Sequence, residues 1–372
     1  MVRSAPSRIR WVFGLMVIAL AASGCVEASD TVPATTVATI APPADPPPST
    51  IAEESAVAWP APRRGHQMTS DGAGRLIVFG GRSVSGGSHT YLADTWVYET
   101  AKGVWTEEDS SPAPSLRSQY AMTPTGTPGE IYLIGGYVGD RFTYPDAWYY
   151  SGGLWTRSDP AGGPTPRAGS AATWDEESGT IVLFGGAEQP RVAELPTNDT
   201  WILDPTTQTW TDQSPSDPPR PKSEGHPTLF ELALVYDSES DRSILLIGGD
   251  ETWAYDTNTN LWEERSAPEL EADFMVAAAY HAGLDRVVAY GGGPTSLTAE
   301  TWLYDENTDT WAQLETATSP GPLGDHAMAY DATTDRVYMF GGAEDLLPLD
   351  GVGDVSDALW VFDGRDWDRI KP

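Results

Sequence analysis

The sequence contains a single cysteine, Cys25, so no disulfide can form within the chain and no cysteine-based metal site is available. Basic residues are also scarce: 22 lysines and arginines stand against 54 acidic residues, giving a formal net charge of -32 at pH 7. Such an acidic body repels phosphate backbones, and we expect no nucleic-acid partner. The five histidines are not clustered by spacing, so we expect no metal ion and no cofactor.

A short apolar run near the N-terminus, WVFGLMVIALAA, follows three arginines and ends in small residues. At about twelve residues it is short for a membrane-spanning helix. A basic head, an apolar stretch and small residues are together typical of a secretory signal. We therefore predict that residues 1–24 are a signal peptide, without which the net charge becomes -35.

The cysteine lies directly after this segment. The sequence Ala-Ser-Gly-Cys that ends at Cys25 resembles the lipobox of bacterial lipoproteins. This resemblance implies lipid attachment at Cys25 and an extracytoplasmic protein anchored in the bacterial membrane or envelope. An ordinary secretory peptide in which Cys25 is incidental is the alternative. Residues 25–57 are rich in Thr, Ala and Pro, and they are predicted to form an extended tether.

The tryptophans show an internal repeat. Twelve of the fifteen form six pairs, and each pair follows a hydrophobic run ending in Gly-Gly, at a spacing of about fifty residues. Six copies predict one supersecondary unit repeated within a single domain. The glycine pairs and the first tryptophan of each copy are Gly80, Gly81, Gly135, Gly136, Gly185, Gly186, Gly248, Gly249, Gly291, Gly292, Gly341, Gly342, Trp96, Trp148, Trp201, Trp253, Trp302 and Trp360.

Each copy contains four short strand patterns separated by polar turns. In the third copy they lie at 170–174, 180–184, 199–204 and 209–211. Four strands repeated six times predict an all-β, six-bladed β-propeller with four antiparallel strands per blade, over residues 58–372. The glycines permit positive φ and close approach of a neighbouring sheet, and the tryptophans are expected to fill the wedges between blades.

An acidic residue precedes the first tryptophan in each copy. We expect it to accept backbone N–H groups in the local turn rather than to act as a catalytic acid. These acids are Asp94, Asp146, Asp199, Glu251, Glu300 and, in an irregular sixth copy, Asp357.

The sequence leaves open how the ring closes. All six copies are complete, which implies closure by packing of one blade face on another. Residues 56–59, Ala-Val-Ala-Trp, resemble a stray outer strand that could instead pair with the last blade.

These marks together resemble kelch repeats: Gly-Gly closing a second strand, acid-x-Trp in a third strand and a second Trp seven or nine residues later. The resemblance covers most of the chain and implies a kelch-type propeller. It is weak for function, since kelch propellers include protein-binding modules, glycan-handling proteins and a few enzymes. A galactose-oxidase-like route is excluded, because its Tyr–Cys crosslink needs a cysteine within the propeller and Cys25 lies outside the repeats.

Loop lengths distinguish the two faces of the predicted ring. Between the second glycine and the acid the six copies hold 12, 9, 12, 1, 7 and 14 residues, whereas turns on the opposite face are short. Variable loops on a regular scaffold are where recognition usually lies. We therefore expect a protein or envelope-glycan partner to bind at this loop-rich face. The alternative is that the long loops are merely tolerated.

Basic, histidine and tyrosine residues lie on the same face, before the first strands of blades six, one, two and three. Three arginines in so acidic a body would form a positive island suited to carboxylates. The alternative is that each arginine pairs with an acid of its own blade. The candidate binding residues are Arg63, His66, Arg117, Tyr120, Arg167 and His326.

Three functional classes fit these features. The preferred one is a membrane-anchored, extracytoplasmic binding protein that recognises its partner through the loop-rich face. The second is a sialic-acid mutarotase-like enzyme, in which the three arginines hold the sugar carboxylate and His66 or His326 moves a proton. The third is a structural subunit of an envelope assembly, which fully paired arginines would favour.

Overall fold

The computed structural model describes most of the repeat region. The predicted signal peptide at 1–24, the lipidation site Cys25 and the tether at 25–57 lie outside the described residues. Within the described ranges no helix is long and apolar enough to cross a bilayer. These ranges are 58–85, 88–139, 142–188, 196–220, 232–249, 251–268, 276–292, 297–344 and 354–370.

In these ranges the chain forms β-strands and no helix. The strands of the first three repeats are β1 (Gln67–Ser70), β2 (Arg75–Phe79), β3 (Arg82–Ser85), β4 (Ser88–Tyr91), β5 (Thr95–Glu99), β6 (Val104–Glu108), β7 (Ala121–Pro124), β8 (Glu130–Ile134), β9 (Tyr137–Val138), β10 (Phe142–Thr143), β11 (Ala147–Ser151), β12 (Leu154–Ser158), β13 (Ala171–Asp175), β14 (Thr180–Phe184), β15 (Thr200–Asp204) and β16 (Thr209–Asp212). Those of the last three are β17 (Leu232–Asp237), β18 (Arg242–Ile247), β19 (Glu251–Asp256), β20 (Leu261–Arg265), β21 (Ala277–His281), β22 (Arg286–Tyr290), β23 (Thr301–Asp305), β24 (Thr310–Leu314), β25 (Ala327–Asp331), β26 (Arg336–Phe340), β27 (Leu359–Phe362) and β28 (Trp367–Ile370).

Each repeat folds into one four-stranded antiparallel sheet, which forms a blade. Blade one has the order β1-β2-β5-β6, and blade two has the order β7-β8-β11-β12; β3–β4 and β9–β10 form separate hairpins. Blades three to six are β13–β16, β17–β20, β21–β24 and β25–β28. The innermost strands β1, β7, β13, β17, β21 and β25 contact one another in turn, and β25 contacts β1. The chain is therefore a six-bladed propeller, as the repeat predicted.

Hydrophobic packing takes place between the blades rather than in one central core. The buried side chains of the described residues form six clusters, one at each interface between neighbouring blades. In the interface of blades one and two, Trp148 and Trp155 of blade two pack on Ile77 and Phe79 of blade one. Trp155 lies edge-on to Phe79, with ring centroids 5.5 Å apart. The tryptophans thus fill the wedges, as expected.

The ring closes by face packing. Trp105 of blade one and Phe340 of blade six belong to one buried cluster, and their ring centroids are 5.2 Å apart. Trp59 packs against this cluster, and its Nε1 donates to the backbone carbonyl of Asp357 at 2.8 Å. Trp59 therefore contacts the last blade, but it does so as irregular chain and not as an added outer strand.

In four of the six blades the described residues show the Gly-Gly pair linking a blade to the next. In blade one, Gly80 and Gly81 have φ values of 50° and 88°. The N–H of Gly81 donates to the carbonyl of Arg117, which leads into blade two, at 2.9 Å. A Cβ on Gly81 would lie 2.7 Å from the Cβ of His66, so no larger residue fits without a shift. Equivalent bonds join Gly136 to Arg167, Gly292 to Leu323 and Gly342 to Arg63.

Candidate functional site

The loop-rich face carries two hairpins that the sequence pattern did not predict. Strands β3 and β4 lie in the loop after the second strand of blade one, and β9 and β10 lie in the corresponding loop of blade two. Tyr91 of the first hairpin lies edge-on to Tyr137 of the second, with ring centroids 6.0 Å apart. The two hairpins are therefore in contact. The corresponding loops of blades three, five and six lie partly, and that of blade four wholly, outside the described residues.

The arginine before blade one is buried and paired within that blade. Arg63 is 0% exposed, and its two terminal nitrogens donate to Asp94 at 2.8 and 2.7 Å. Its Nε donates to the carbonyl of Ala61, and Nη1 also donates to the carbonyl of Gly80. The indole N–H of Trp96 donates to the same Asp94 carboxylate at 2.8 Å. This Arg–Asp–Trp unit fixes the chain before β1 to the end of β2 and the start of β5.

The same Arg–Asp–Trp unit recurs in the next two blades, with Arg–Asp distances between 2.7 and 3.0 Å: Arg117, Asp146 and Trp148 in blade two, and Arg167, Asp199 and Trp201 in blade three. Glutamates replace the aspartates in blades four and five. There each accepts the indole N–H two residues later at 3.1 Å, from Trp253 to Glu251 and from Trp302 to Glu300.

In blades one to three the acid before the first tryptophan is held mainly by partners other than the backbone N–H groups that were expected. Burial by itself would raise the pKa of Asp94, yet the hydrogen bonds and charge of Arg63, together with the Trp96 N–H, hold that pKa below its usual value. Arg117 likewise holds the pKa of Asp146 below its usual value, although burial by itself would raise it. A guanidinium and an indole are therefore the main partners of these two carboxylates.

These pairings leave no positive island at the three arginines. Each guanidinium faces a carboxylate of its own blade, which is the alternative that the sequence left open. A guanidinium already bound in this two-pronged way has few donors left for a ligand carboxylate. The arrangement therefore gives no support to the sialic-acid route, which needs guanidinium groups that are free to bind the sugar.

Asp325 forms a second buried ionic cluster, which sequence reasoning missed. Its carboxylate accepts from Arg64 at 2.8 Å, from Gln119 at 2.7 Å and from Arg82 at 3.4 Å. Burial would raise the pKa of Asp325, but the charges of Arg64 and Arg82 outweigh burial and lower it to about 2. A signal was present in the sequence, because Asp325 stands where blade one has Gly65.

The remaining candidates each pack on the preceding blade. Tyr120 lies edge-on to Phe79 and donates its hydroxyl to the Phe79 carbonyl. The His66 ring lies edge-on to Phe340 of blade six, with ring centroids 5.5 Å apart. The His326 ring lies edge-on to Tyr290 of blade five, with ring centroids 5.8 Å apart. Burial lowers the pKa of His66 to about 3 and that of His326 to about 4, so both are neutral at pH 7. All six residues singled out from the sequence are thus buried.

Exposed apolar side chains lie nearby on the same face. Leu116 and Phe142 are 41% and 55% exposed. Phe142 lies edge-on to Tyr144, with ring centroids 5.0 Å apart, and the Tyr144 hydroxyl donates to the Leu116 carbonyl at 3.0 Å. The Cζ of buried Arg117 lies 4.1 Å from the centre of the Tyr144 ring, a cation–π contact that holds this ring in place. We call Leu116, Phe142 and Tyr144 the apolar patch.

The sequence matches the family model described as the KLHDC2/KLHL20/DRC7 Kelch-repeats domain, over residues 51–249 and 131–342. These overlapping matches cover more than half of the chain. The chain belongs to the kelch-repeat family. No curated protein matches the sequence. In this kelch propeller the recurring glycine, acid and tryptophan residues hold strands and blades together. Leu116 and Phe142 of the apolar patch are not among the residues that recur.

Proposed function

We propose that this kelch propeller is a membrane-anchored, extracytoplasmic binding protein that recognises a protein partner through the apolar patch on its loop-rich face. The main support is exposure: Leu116 and Phe142 are apolar and accessible, whereas the polar candidates on the same face are buried. Exposed apolar groups beside polar loops are typical of protein interaction sites. Kelch propellers commonly act as protein-interaction scaffolds, which agrees with this function.

Hydrogen bonds to two neighbouring blades hold the described residues around the patch. Thr143, beside Phe142, donates its hydroxyl to the carbonyl of Glu188 in blade three at 3.0 Å. The Tyr91 hydroxyl of the first hairpin donates to the carbonyl of Gly139 in the second at 3.4 Å. Contacts to both neighbouring blades therefore support the hairpin β9–β10. A surface held in this way loses less conformational entropy on binding than a free loop would.

A protein suits this patch better than a glycan. The side chains of Leu116 and Phe142 have no hydrogen-bonding group, and the Tyr144 hydroxyl is already bonded to the Leu116 carbonyl. Glycan hydroxyls need several donors and acceptors, and of these three side chains only the Tyr144 hydroxyl oxygen can still accept a hydrogen bond. Aromatic and aliphatic anchors that fill pockets on a partner are instead typical of the centres of protein interfaces.

Replacing Phe142 or Leu116 with aspartate is expected to weaken partner binding by about thirtyfold, or about 2 kcal/mol, because a charge replaces an apolar anchor. The affinity for the partner that co-purifies with the native membrane form would be measured by biolayer interferometry. The matched control is Leu154→Asp, since Leu154 lies in the outer strand β12 of the same blade and is 60% exposed. Equal affinities for Phe142→Asp and Leu154→Asp, or a partner that is a polysaccharide, would contradict the proposal.

The anchoring part of the proposal is supported by the signal-like segment at 1–24 and by the lipobox-like sequence at Cys25. Cys25→Ser removes the thiol that would carry the lipid. We expect this variant to move from the membrane pellet to the soluble or secreted fraction, as followed by immunoblotting after cell fractionation. Ser23→Ala is the control, since it keeps a small residue at its position and should remain in the pellet. An unchanged distribution of Cys25→Ser would show that this cysteine is incidental.

A further inference from the structure

Blade six is joined to blade five by the chain, but its contact with blade one is entirely noncovalent. Blade one begins the repeat region and blade six ends it, so no linker connects the two. Besides the ring packing described above, the N–H of Arg63 donates to the carbonyl of Ser356 at 3.1 Å, and Arg64 pairs with Asp325 at 2.8 Å. The ring can therefore open beside blade six without any change in the covalent chain.

Buried histidines are concentrated at the two interfaces of blade six. The structure describes four of the five histidines, and three of them are buried: His66, His281 and His326, which are 1%, 2% and 6% exposed. His66 of blade one packs on blade six, His326 of blade six packs on blade five, and His281 of blade five packs on blade six. The fourth, His89, lies in the hairpin strand β4 and in no blade sheet. Both faces of blade six thus contain a side chain that ordinarily titrates near neutral pH.

The imidazoles of His66 and His326 are enclosed by the neighbouring blade. Each lies edge-on to an aromatic ring across its interface, at a centroid distance of 5.5 Å for Phe340 and 5.8 Å for Tyr290. A Cβ on Gly341 would lie 2.6 Å from Cε1 of His66, so the backbone of blade six passes directly against this imidazole. A charge on either ring would lose its hydration in such a place.

The charged groups around these two rings do not offset burial. The carboxylate of Asp325 favours a proton on both rings, but it already has two arginine partners. The guanidinium of Arg63 and the ring of His326 disfavour a proton on His66. Tyr290 is an uncharged phenol, because burial raises its pKa to about 12. Burial has the largest influence, and it lowers the pKa of His66 to about 3 and that of His326 to about 4.

His281 lies between blades five and six at the face that carries the short turns. Its ring is 5.1 Å from that of Tyr330 and 6.4 Å from that of Phe362, both in blade six. Its Nδ1 lies 3.4 Å from Oδ1 of Asp335, whose side chain is 60% exposed. The carboxylates of Asp335 and Asp363 favour a protonated ring, yet burial outweighs them and lowers the pKa of His281. Tyr330 is uncharged, since burial raises its pKa to about 12.

The direction of the pH dependence follows from these lowered pKa values. In the closed ring the three imidazoles are neutral, whereas in an opened interface each regains an ordinary pKa of about 6.5. Below that pH the open form binds protons that the closed form does not, so the closed form loses stability as the pH falls. Asp325 and Asp363 stay ionised between pH 7 and pH 5, because their own pKa values are lowered. Protonation of the histidines is therefore separate from that of these two aspartates.

We propose that blade six is an acid-sensitive part of the ring: mild acid protonates His66, His281 and His326 and loosens blade six from blades five and one. At pH 5, which is about 1.5 units below the ordinary pKa, His66 and His326 each shift the equilibrium toward the open form by about thirtyfold. These histidines are not part of the apolar patch, so the proposal does not depend on the proposed protein partner.

Hydrogen exchange of the full chain, followed by mass spectrometry at pH 7 and pH 5, tests this proposal. After correction for the pH dependence of intrinsic exchange, the amides of blade six (β25–β28) are compared with those of blade three (β13–β16). We expect the protection of blade six to fall at least thirtyfold between pH 7 and pH 5, and that of blade three to fall much less. Equal losses in the two blades, or no loss in blade six, would overturn the proposal.

Two variants identify the titrating groups. His66→Tyr and His326→Tyr each introduce the residue that blade two has at the equivalent position, Tyr120, which is uncharged at both pH values. We expect each variant to reduce the pH-dependent change in blade six by about thirtyfold, and the matched control His89→Gln to keep the full change. Because the two pH values are compared within each variant, a change in overall stability does not affect the result. An unchanged pH dependence in either tyrosine variant would overturn the proposal.

Discussion

Replacing Arg63 with methionine is expected to lower the free energy of unfolding by about 3–5 kcal/mol, because it leaves a carboxylate without its cation. Arg63 is fully buried, and Asp94 accepts two of its N–H groups. In the variant, Asp94 keeps the indole N–H of Trp96 but loses the charge that compensates its desolvation. The carbonyls of Ala61 and Gly80 lose a donor as well. Urea denaturation followed by tryptophan fluorescence would measure the loss.

The matched control for this variant is Arg157→Met. Arg157 pairs with Asp159 at 3.0 Å, but both side chains are exposed, and such a surface pair contributes about 0–1 kcal/mol. We expect the double variant with Asp94→Leu to recover part of the stability lost in Arg63→Met, because it removes the stranded charge. If Arg63→Met cost no more than Arg157→Met, the Arg–Asp–Trp unit would not be structural, and Arg63 would again be a candidate for ligand binding.

Replacing Trp367 with alanine is expected to cost about 3–5 kcal/mol, because it empties a wedge between the last two blades. Trp367 is fully buried and lies against Tyr290 of blade five, with ring centroids 5.3 Å apart. Its indole N–H donates to Thr301 Oγ1 of blade five at 2.9 Å. Removing the ring therefore loses packing and leaves a buried hydroxyl without this donor. The same denaturation experiment would measure the change.

Trp311 is the matched control for Trp367, since it has the same place in blade five but is only half-buried. Trp311→Ala is therefore expected to lose less stability than Trp367→Ala. Equal losses for the two variants would mean that wedge burial does not determine how much each blade interface stabilises the ring.

The fold could be predicted from the sequence because its determinants recur at regular spacing. Gly-Gly and the paired tryptophans appear six times, and among the described residues copies one, two, five and six make the same glycine contact to the neighbouring blade. The second glycine bonds to the chain that leads into the next blade, as Gly81 does to Arg117. Local strand patterns and turns then determine the four strands of each blade. A contact between neighbouring blades can be inferred from the sequence when the residues that make it recur in successive repeats.

The candidate site could be predicted only in part, because its contacts depend on how the ring brings distant residues together. Arg63 and Asp94 are 31 positions apart, and the sequence alone could not decide between this pairing and a free guanidinium. Arg64 and Asp325 are 261 positions apart and meet only where blade six adjoins blade one. The exposure of Phe142 follows from the hairpin β9–β10, which is not part of the repeat. The loop-rich face was identifiable, but its accessible residues were not.

The most direct test of partner recognition at the apolar patch is photo-crosslinking in the native cell. A benzophenone amino acid would replace Phe142 in one strain and the equally accessible Leu154 in another. We expect one protein adduct from position 142, none from position 154, and loss of the adduct on competition with the purified wild-type propeller but not with Leu116→Asp. Adducts of equal yield from both positions, or competition by Leu116→Asp as strong as by the wild type, would contradict recognition at this face.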